Sequence, residues 1–261
     1  MRAFGRWLLW MLFAAVALQI FFLGRIALMA VVDPQSTAFM RSEAWRVTTQ
    51  SLGSDKPWRF SAQWLDYDQI SPHLKRAVMA AEDAGFTDHG GVDWDAIQSA
   101  WQKNERRQAQ VEKRAKQIER RLAKKPEAAE AAVKAIKPPK ISGGSTITQQ
   151  LAKNLLLSGE RNLLRKGQEL VLTLMLEVLL SKQRILEIYL NSVEWGEGVF
   201  GAEAAAQRYF KKPASKLNAS EAARLAVMLP SPKFFETRQG SAYLARRTSS
   251  IVGQMGAVQA P

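Results

Sequence analysis

The sequence predicts a mainly α-helical protein with a single N-terminal transmembrane helix. Three observations carry this expectation. Trp7 to Leu23 is an apolar run with one polar side chain, Gln19. From Ser71-Pro72 onward the apolar residues recur at helical spacing. Residues 103–137 are rich in Lys, Arg, Glu, Ala and Gln and end at Pro138-Pro139, which suits a solvated helix or helical hairpin broken at Pro126.

The first element, residues 1–32, is expected to be a cytoplasmic N-terminus and membrane anchor. A spanning helix needs about 20 apolar residues. The run reaches that length if Arg25 snorkels to the interface, with Trp7 and Trp10 in the headgroup belt. A cleaved signal peptide is the competing reading, but the run is long for one. Arg2, Arg6 and the terminal amine precede it, so the rest of the chain should lie outside the cytoplasm.

Residues 33–70 are expected to be a connector, with the RVTTQSL stretch (46–52) as a short strand. From Ser71 onward the pattern stays helical, with a basic low-complexity segment at residues 103–140. Residues 162–190 read as one long helix or as two joined near Ser181. The apolar stretch 170–180 in that segment reads as a central core helix. The Lys182–Asn191 segment reads as scaffold with solvated charges, and residues 236–261 as a terminal helix and frayed tail.

The chain has 261 residues, a formal charge of +13 and no cysteine. Disulfide scaffolds, thiolate metal sites and a cysteine nucleophile are therefore excluded. The excess charge calls for an anionic partner. Its distribution is uneven: +3 over residues 1–32, −4 over 33–102, +8 over 103–140 and +6 over 141–261. A domain outside the cytoplasm argues against nucleic acid. The basic segment reads as a solvated spacer or as a contact for anionic headgroups.

Three constellations could carry chemistry. Leu74, Val78 and Glu82 recur every fourth residue, so Glu82 continues an apolar stripe at a helix end. Desolvation there would raise its pKa and suit it to proton transfer, although a carboxylate reaching solvent has the same spacing. Gly143-Gly144-Ser145-Thr146 enters a helix with Gln149 at capping-box distance. Thr146, Gln150 and Lys153 fall on one face, which fits either a phosphate site or an ordinary capped helix. Arg165, Lys166 and Glu169 lie within one turn, and Glu169, Thr173 and Glu177 form a polar stripe on an otherwise apolar helix. Such a stripe suits a cleft or paired bases.

Together these stretches resemble the peptidoglycan glycosyltransferases of glycosyltransferase family 51, in their monofunctional biosynthetic form. E-D-x-x-F-x-x-H-x-G is present at Glu82, Asp83, Phe86, His89 and Gly91. G-x-S-T-x-x-Q-Q is present at Gly143, Ser145, Thr146, Gln149 and Gln150, followed by Lys153 and Asn154. R-K-x-x-E falls at Arg165, Lys166 and Glu169. I-L-E-x-Y-L-N runs from Ile185 to Asn191, and G-x-x-x-A-A-x-x-Y-F spans Gly201 to Phe210.

The resemblance implies a lysozyme-like glycosyltransferase domain over residues 71–235. It implies a polymerase that moves a growing lipid-linked glycan onto the C4 hydroxyl of lipid II, releasing undecaprenyl diphosphate with inversion. It gives Glu82 the role of general base. Glu169 positions the neighbouring bases or assists the leaving group. Lys153, Arg165 and Lys166 meet the pyrophosphate. Ser145, Thr146, Gln150 and Asn154 line the donor side. Asp83, Phe86, His89 and Gly91 shape the first motif.

A divalent cation (magnesium or manganese) on the pyrophosphate is compatible with the resemblance, but the sequence shows no dedicated carboxylate cage or other metal site. Expected partners are lipid II, undecaprenyl-linked glycan, the membrane and other cell-wall synthesis or division proteins. The expected location is the cell inner membrane, with a periplasmic catalytic domain. The insertion 103–140 lies outside the resemblance. Ser-x-x-Lys and Lys-Thr-Gly motifs of a transpeptidase partner are not present. Two other readings compete: a lysozyme-like glycan hydrolase, and a membrane-anchored scaffold of the cell-wall machinery.

Overall fold

A computed structural model describes residues 2–52, 58–123, 125–136, 138–139, 143–157 and 163–261. The chain divides into two compact units. One comprises residues 1–92 and 146–261, the other residues 93–145. Both are helical, as the sequence predicts.

In the first unit, α1 (Arg2–Leu28) is long and apolar enough to cross a membrane. Trp7, Trp10, Phe13 and Phe21 are exposed along it, whereas Phe22, Ile26 and Met29 near its end enter the hydrophobic core. α2 (Ala38–Ser51) follows, with Thr37 accepting from Met40 N at its start. The RVTTQSL stretch is thus helical rather than a strand. Val47, Thr48 and Thr49 carry strand propensity, but Met40, Glu43 and Val47 bury one helical face. Thr48 and Ser51 donate to carbonyls four residues back, which satisfies their hydroxyls inside the helix.

The core of this unit has two groups of helices. α3 (Pro72–Glu82), α10 (Ala219–Met228) and α12 (Ala242–Gln254) pack on one another. α6 (Ile147–Leu156) packs against α7 (Leu163–Leu179) and α8 (Lys182–Ser192). α9 (Ala202–Phe210) and α11 (Pro232–Glu236) complete the unit.

The central helix is α8, not the 170–180 stretch. Ile185 to Ser192 are buried without a break. On α7, Leu172, Thr173 and Leu176 are buried, but Leu170, Val171, Leu174 and Val178 face outward, Val178 with 82% exposure. Composition alone cannot separate an apolar face turned to a core from one turned to lipid. Ser181 caps α8 by accepting from Arg184 N and separates the two helices.

A small sheet orders β1 (Ser61–Ala62), β3 (Val199–Phe200) and β2 (Glu194–Gly196) side by side. β1 runs parallel to β3, pairing Ser61 with Val199, and β2 is antiparallel to it. Gly198 closes the hairpin at φ +69, where a Cβ would lie 2.0 Å from the Arg59 carbonyl oxygen. The C-terminal tail is not frayed: Met255 and Val258 are buried, and the Tyr67 hydroxyl donates to Pro261 O at 2.6 Å.

The second unit contains α4 (Trp94–Arg121), capped by Asp93, and α5 (Pro126–Lys134). The two pack on each other, with Pro126 at the first turn of α5. Val111, Ile118, Leu122 and Val133 are half-buried, while the described basic side chains of α4 and α5 are exposed.

Candidate active site

Glu82 ends α3. Val78 and Leu74, one and two turns earlier, are fully buried, so the stripe that reaches Glu82 is a core stripe. The carboxylate is half-buried. Burial pushes its pKa above the ordinary value. A hydrogen bond from Gln150 opposes the rise, nearby Asp83 adds to it and Arg247 opposes it.

Gln150 comes from the second turn of α6. Its Nε2 donates to Glu82 Oε2 at 2.9 Å, and its Oε1 accepts from the Tyr189 hydroxyl at 3.0 Å. Tyr189 lies on α8, and burial holds its pKa well above the ordinary value. Three helices thus supply one relay that fixes the Glu82 side chain. In the sequence Tyr189 belongs to the scaffold segment Lys182–Asn191, whose spacing shows burial but not where the hydroxyl points.

Asp83 is buried and has other partners. Its Oδ1 accepts from His89 Nε2 at 2.9 Å, and its Oδ2 accepts from Ile147 N at 2.9 Å. His89 Nδ1 in turn accepts from Gly91 N at 3.1 Å, so Nε2 carries the proton. Asp83 therefore ties the first motif to the start of α6, where free N–H groups favour a carboxylate. Burial raises its pKa, opposed by the bonds from His89 and Ile147 N.

Thr146 makes the expected capping box with Gln149, and its hydroxyl donates to Gly91 O at 2.7 Å. Gly91 has φ +89, and a Cβ there would lie 2.8 Å from both Glu177 Cγ and Thr173 Cγ2. Phe86 is fully buried, edge-on to His89, with the Lys182 ammonium 4.5 Å from its ring centre.

The polar stripe on α7 divides into two roles. Glu169 is buried and receives Lys166 at 2.5 Å and Arg165 at 3.5 Å. Thr173 donates back to Glu169 O. Glu177 accepts from Thr148 at 2.5 Å and from Lys182 at 2.9 Å. Lys182 also donates to His89 O at 2.6 Å. The charges of 182–187 are accordingly paired rather than solvated: Arg184 binds Glu187, Asp33 and Met29 O.

Glu82, Asp83, Phe86, His89, Gly91, Thr146 and Gln150 therefore come together, and Arg165, Lys166 and Glu169 form a second group. α6 carries Gln150 and Lys153 and packs against α7, which carries the basic pair. Lys153 is exposed and Asn154 half-buried on the following turn. Ser145 is exposed and belongs to the other unit.

A desolvated carboxylate held by an amide and a cationic pair braced on a buried glutamate define a class: an enzyme with a lysozyme-like helical domain, here with one helix long and apolar enough to cross a membrane. The Transglycosylase family model matches residues 50–126 and 124–256. The chain belongs to the transglycosylase family. It is similar to the "Biosynthetic peptidoglycan transglycosylase" of Burkholderia orbicola, with 49% identity over 248 residues, 95% of this chain and 87% of the relative. A protein of the same name from Paraburkholderia phytofirmans is 49% identical over 250 residues, covering 95% and 89%. The Burkholderia thailandensis protein of that name is 48% identical over 264 residues, covering 100% and 90%. The two matched segments meet inside the basic stretch 103–140.

Proposed function

We propose that the protein polymerises peptidoglycan glycan strands at the outer face of the cell inner membrane, with its N-terminus in the cytoplasm and its catalytic domain in the periplasm. The observation that carries the mechanism is Glu82: a carboxylate desolvated at the end of a core helix and oriented by Gln150. It accepts the proton of the lipid II C4 hydroxyl as that oxygen attacks C1 of the lipid-linked donor. The new O4–C1 bond forms opposite the breaking bond from C1 to phosphate oxygen, so the anomeric centre inverts. Undecaprenyl diphosphate leaves with the bonding pair.

Lys166 and Arg165, set by Glu169, face the developing charge of the diphosphate, with Lys153 on the neighbouring helix α6. Thr146 and Gln150 shape the donor side from α6, and Ser145 and Asn154 flank it in sequence. Asp83, Phe86, His89 and Gly91 hold the loop after Glu82 against α6 and α7 and take no part in proton transfer. A divalent cation (magnesium or manganese) carried by the diphosphate itself is compatible with this reading; Glu169 is held by Lys166 and Arg165, and no step is assigned to an ion. Partners are lipid II, undecaprenyl-linked glycan, the membrane and other proteins of cell-wall synthesis.

A hydrolase would use a second carboxylate to place water. The carboxylate next to Glu82 is Asp83, and both its oxygens are occupied by His89 and Ile147 N.

The test is purified full-length Glu82→Gln incubated with lipid II in detergent. The expected result is no glycan polymer from a protein whose thermal unfolding matches the wild type. Polymer at near wild-type yield overturns the assignment, and short muropeptides released by the wild-type protein from preformed glycan would favour hydrolysis.

A further inference from the structure

Gln19 is the single polar residue between Trp7 and Leu23 of the spanning helix. Its side chain meets Gln168 on α7 through two reciprocal bonds: Gln19 Nε2 donates to Gln168 Oε1 at 2.9 Å, and Gln168 Nε2 donates to Gln19 Oε1 at 3.0 Å. The two bonds are part-buried, so water competes weakly for either amide. Gln168 sits between Lys166 and Glu169 in sequence, next to the cationic pair. Leu164, Val171, Leu174 and Val178 are exposed on α7, and α1 packs against the same helix.

A second fastening lies at the end of α1. Arg184 Nε donates to Met29 O at 2.8 Å, and Arg184 Nη2 donates to Asp33 at 2.7 Å. Gln19 thus fastens α1 to α7, and the stretch just past Leu28 fastens it to Arg184 of the following helix α8. Gln19 lies six residues before Arg25, about 9 Å along the helix axis. The depth of α1 in the bilayer therefore sets the depth of α7 and of Lys166.

We propose that Gln19 is a positioning residue of the active site. Acting through Gln168, it holds Lys166 and Glu169 at the level where the diphosphate of a lipid-linked substrate meets the membrane surface. The inference rests on the reading of the protein as a lipid II polymerase. Its expected signature is in substrate capture, because proton transfer at Glu82 does not pass through the amide pair.

The test uses the full chain in vesicles of phosphatidylethanolamine and phosphatidylglycerol, with initial rates measured against the mole fraction of lipid II. Gln19→Leu and Gln168→Leu should each raise the apparent KM about three- to tenfold and leave kcat within twofold. The double variant should be no worse than the worse single variant. A wild-type KM in either single variant, or a loss of kcat at unchanged KM, overturns the proposal.

The absence of cysteine allows a second measurement. Gln19→Cys with Gln168→Cys, bridged by a short bis-maleimide in the vesicles, should recover a KM near wild type, while the unbridged pair behaves like the leucine variants. Failure to bridge, or a bridged protein with the raised KM, also overturns it. Wild-type protein that makes no polymer would instead overturn the polymerase reading, and bridging would still report whether the two helices meet.

Discussion

The Gln150 amide donates to the Glu82 carboxylate at 2.9 Å across 68 residues of chain, and the buried Tyr189 hydroxyl holds the amide from its other side. The bond favours the ionised form of a carboxylate that burial drives toward the neutral form. A general base works only when ionised, so activity should rise with pH through the raised pKa of Glu82. The acidic limb of the pH–rate profile should lie above the ordinary glutamate value of about 4.3.

Removing the amide should therefore move that limb. In Gln150→Leu the opposing hydrogen bond is gone, burial remains, and the limb should shift to higher pH, with kcat on the plateau about tenfold lower from lost orientation. Tyr189→Phe should move it in the same direction by less. The pH dependence of lipid II polymerisation measures both. An unmoved limb in Gln150→Leu would show that the contact does not act on the reacting carboxylate.

The cationic pair supports a second prediction. Glu169 touches both Lys166 and Arg165, whereas Lys166 itself is largely exposed and able to reach a ligand. Lys166→Met should lower kcat about a hundredfold, as loss of a donor aimed at developing charge does. Glu169→Gln keeps a hydrogen-bonding group beside both bases and should cost less, about tenfold. The reverse order, with Glu169→Gln the more damaging, would assign Glu169 a direct part in the leaving-group step.

How much of this was legible in the sequence depended on the distance over which each feature is decided. The Leu74–Val78–Glu82 stripe is local and placed the carboxylate at a core helix end. The capping box of Thr146 and Gln149 is also local. The partner of Glu82 was not legible, because an amide on α6 meets it only after α3, α6 and α8 pack.

The 46–52 stretch failed for a related reason. Its strand propensity is real, but tertiary burial of Met40, Glu43 and Val47 decides for helix. The apolar run of α7 was read as core because composition does not say which neighbour an apolar face meets. The pairing of Lys182 and Arg184 is only partly legible: Glu177 and Glu187 lie close in sequence, but His89, Met29 and Asp33 lie far away in the chain.

Gly91 gives a stability prediction at the joint between the first motif and α7. The residue adopts φ +89, and a methyl group would press on Glu177 Cγ and Thr173 Cγ2 at 2.8 Å. Neither can easily yield: Thr173 is fully buried, and Glu177 is held by Thr148 and Lys182. Gly91→Ala should destabilise the protein by about 2–3 kcal/mol from backbone strain and crowding together. Activity should fall as well, because Gly91 O anchors Thr146 at the start of α6. Denaturation of the detergent-solubilised variant measures the first effect, and a midpoint equal to wild type would refute it.

Glu194 offers a pH test away from the candidate site. It is buried on β2, and burial raises its pKa from 4.5 to about 7, partly offset by Lys233 at 3.4 Å and reinforced by Glu43. A carboxyl whose folded pKa exceeds its unfolded value binds more protons when folded. Its unfavourable effect is absent below pH 4.5, grows as pH rises toward 7, and is complete above that. The shift corresponds to about 3 kcal/mol at most, at roughly 1.4 kcal/mol per unit. Glu194→Gln removes the titration and keeps the shape. It should match wild type near pH 4.5 and exceed it by about 2 kcal/mol at pH 8, with a flatter profile between. Unfolding midpoints at the two pH values decide the matter: an equal difference at both would mean that the substitution acts through packing, and a loss of stability at pH 8 would mean that the charged form is the one the fold requires.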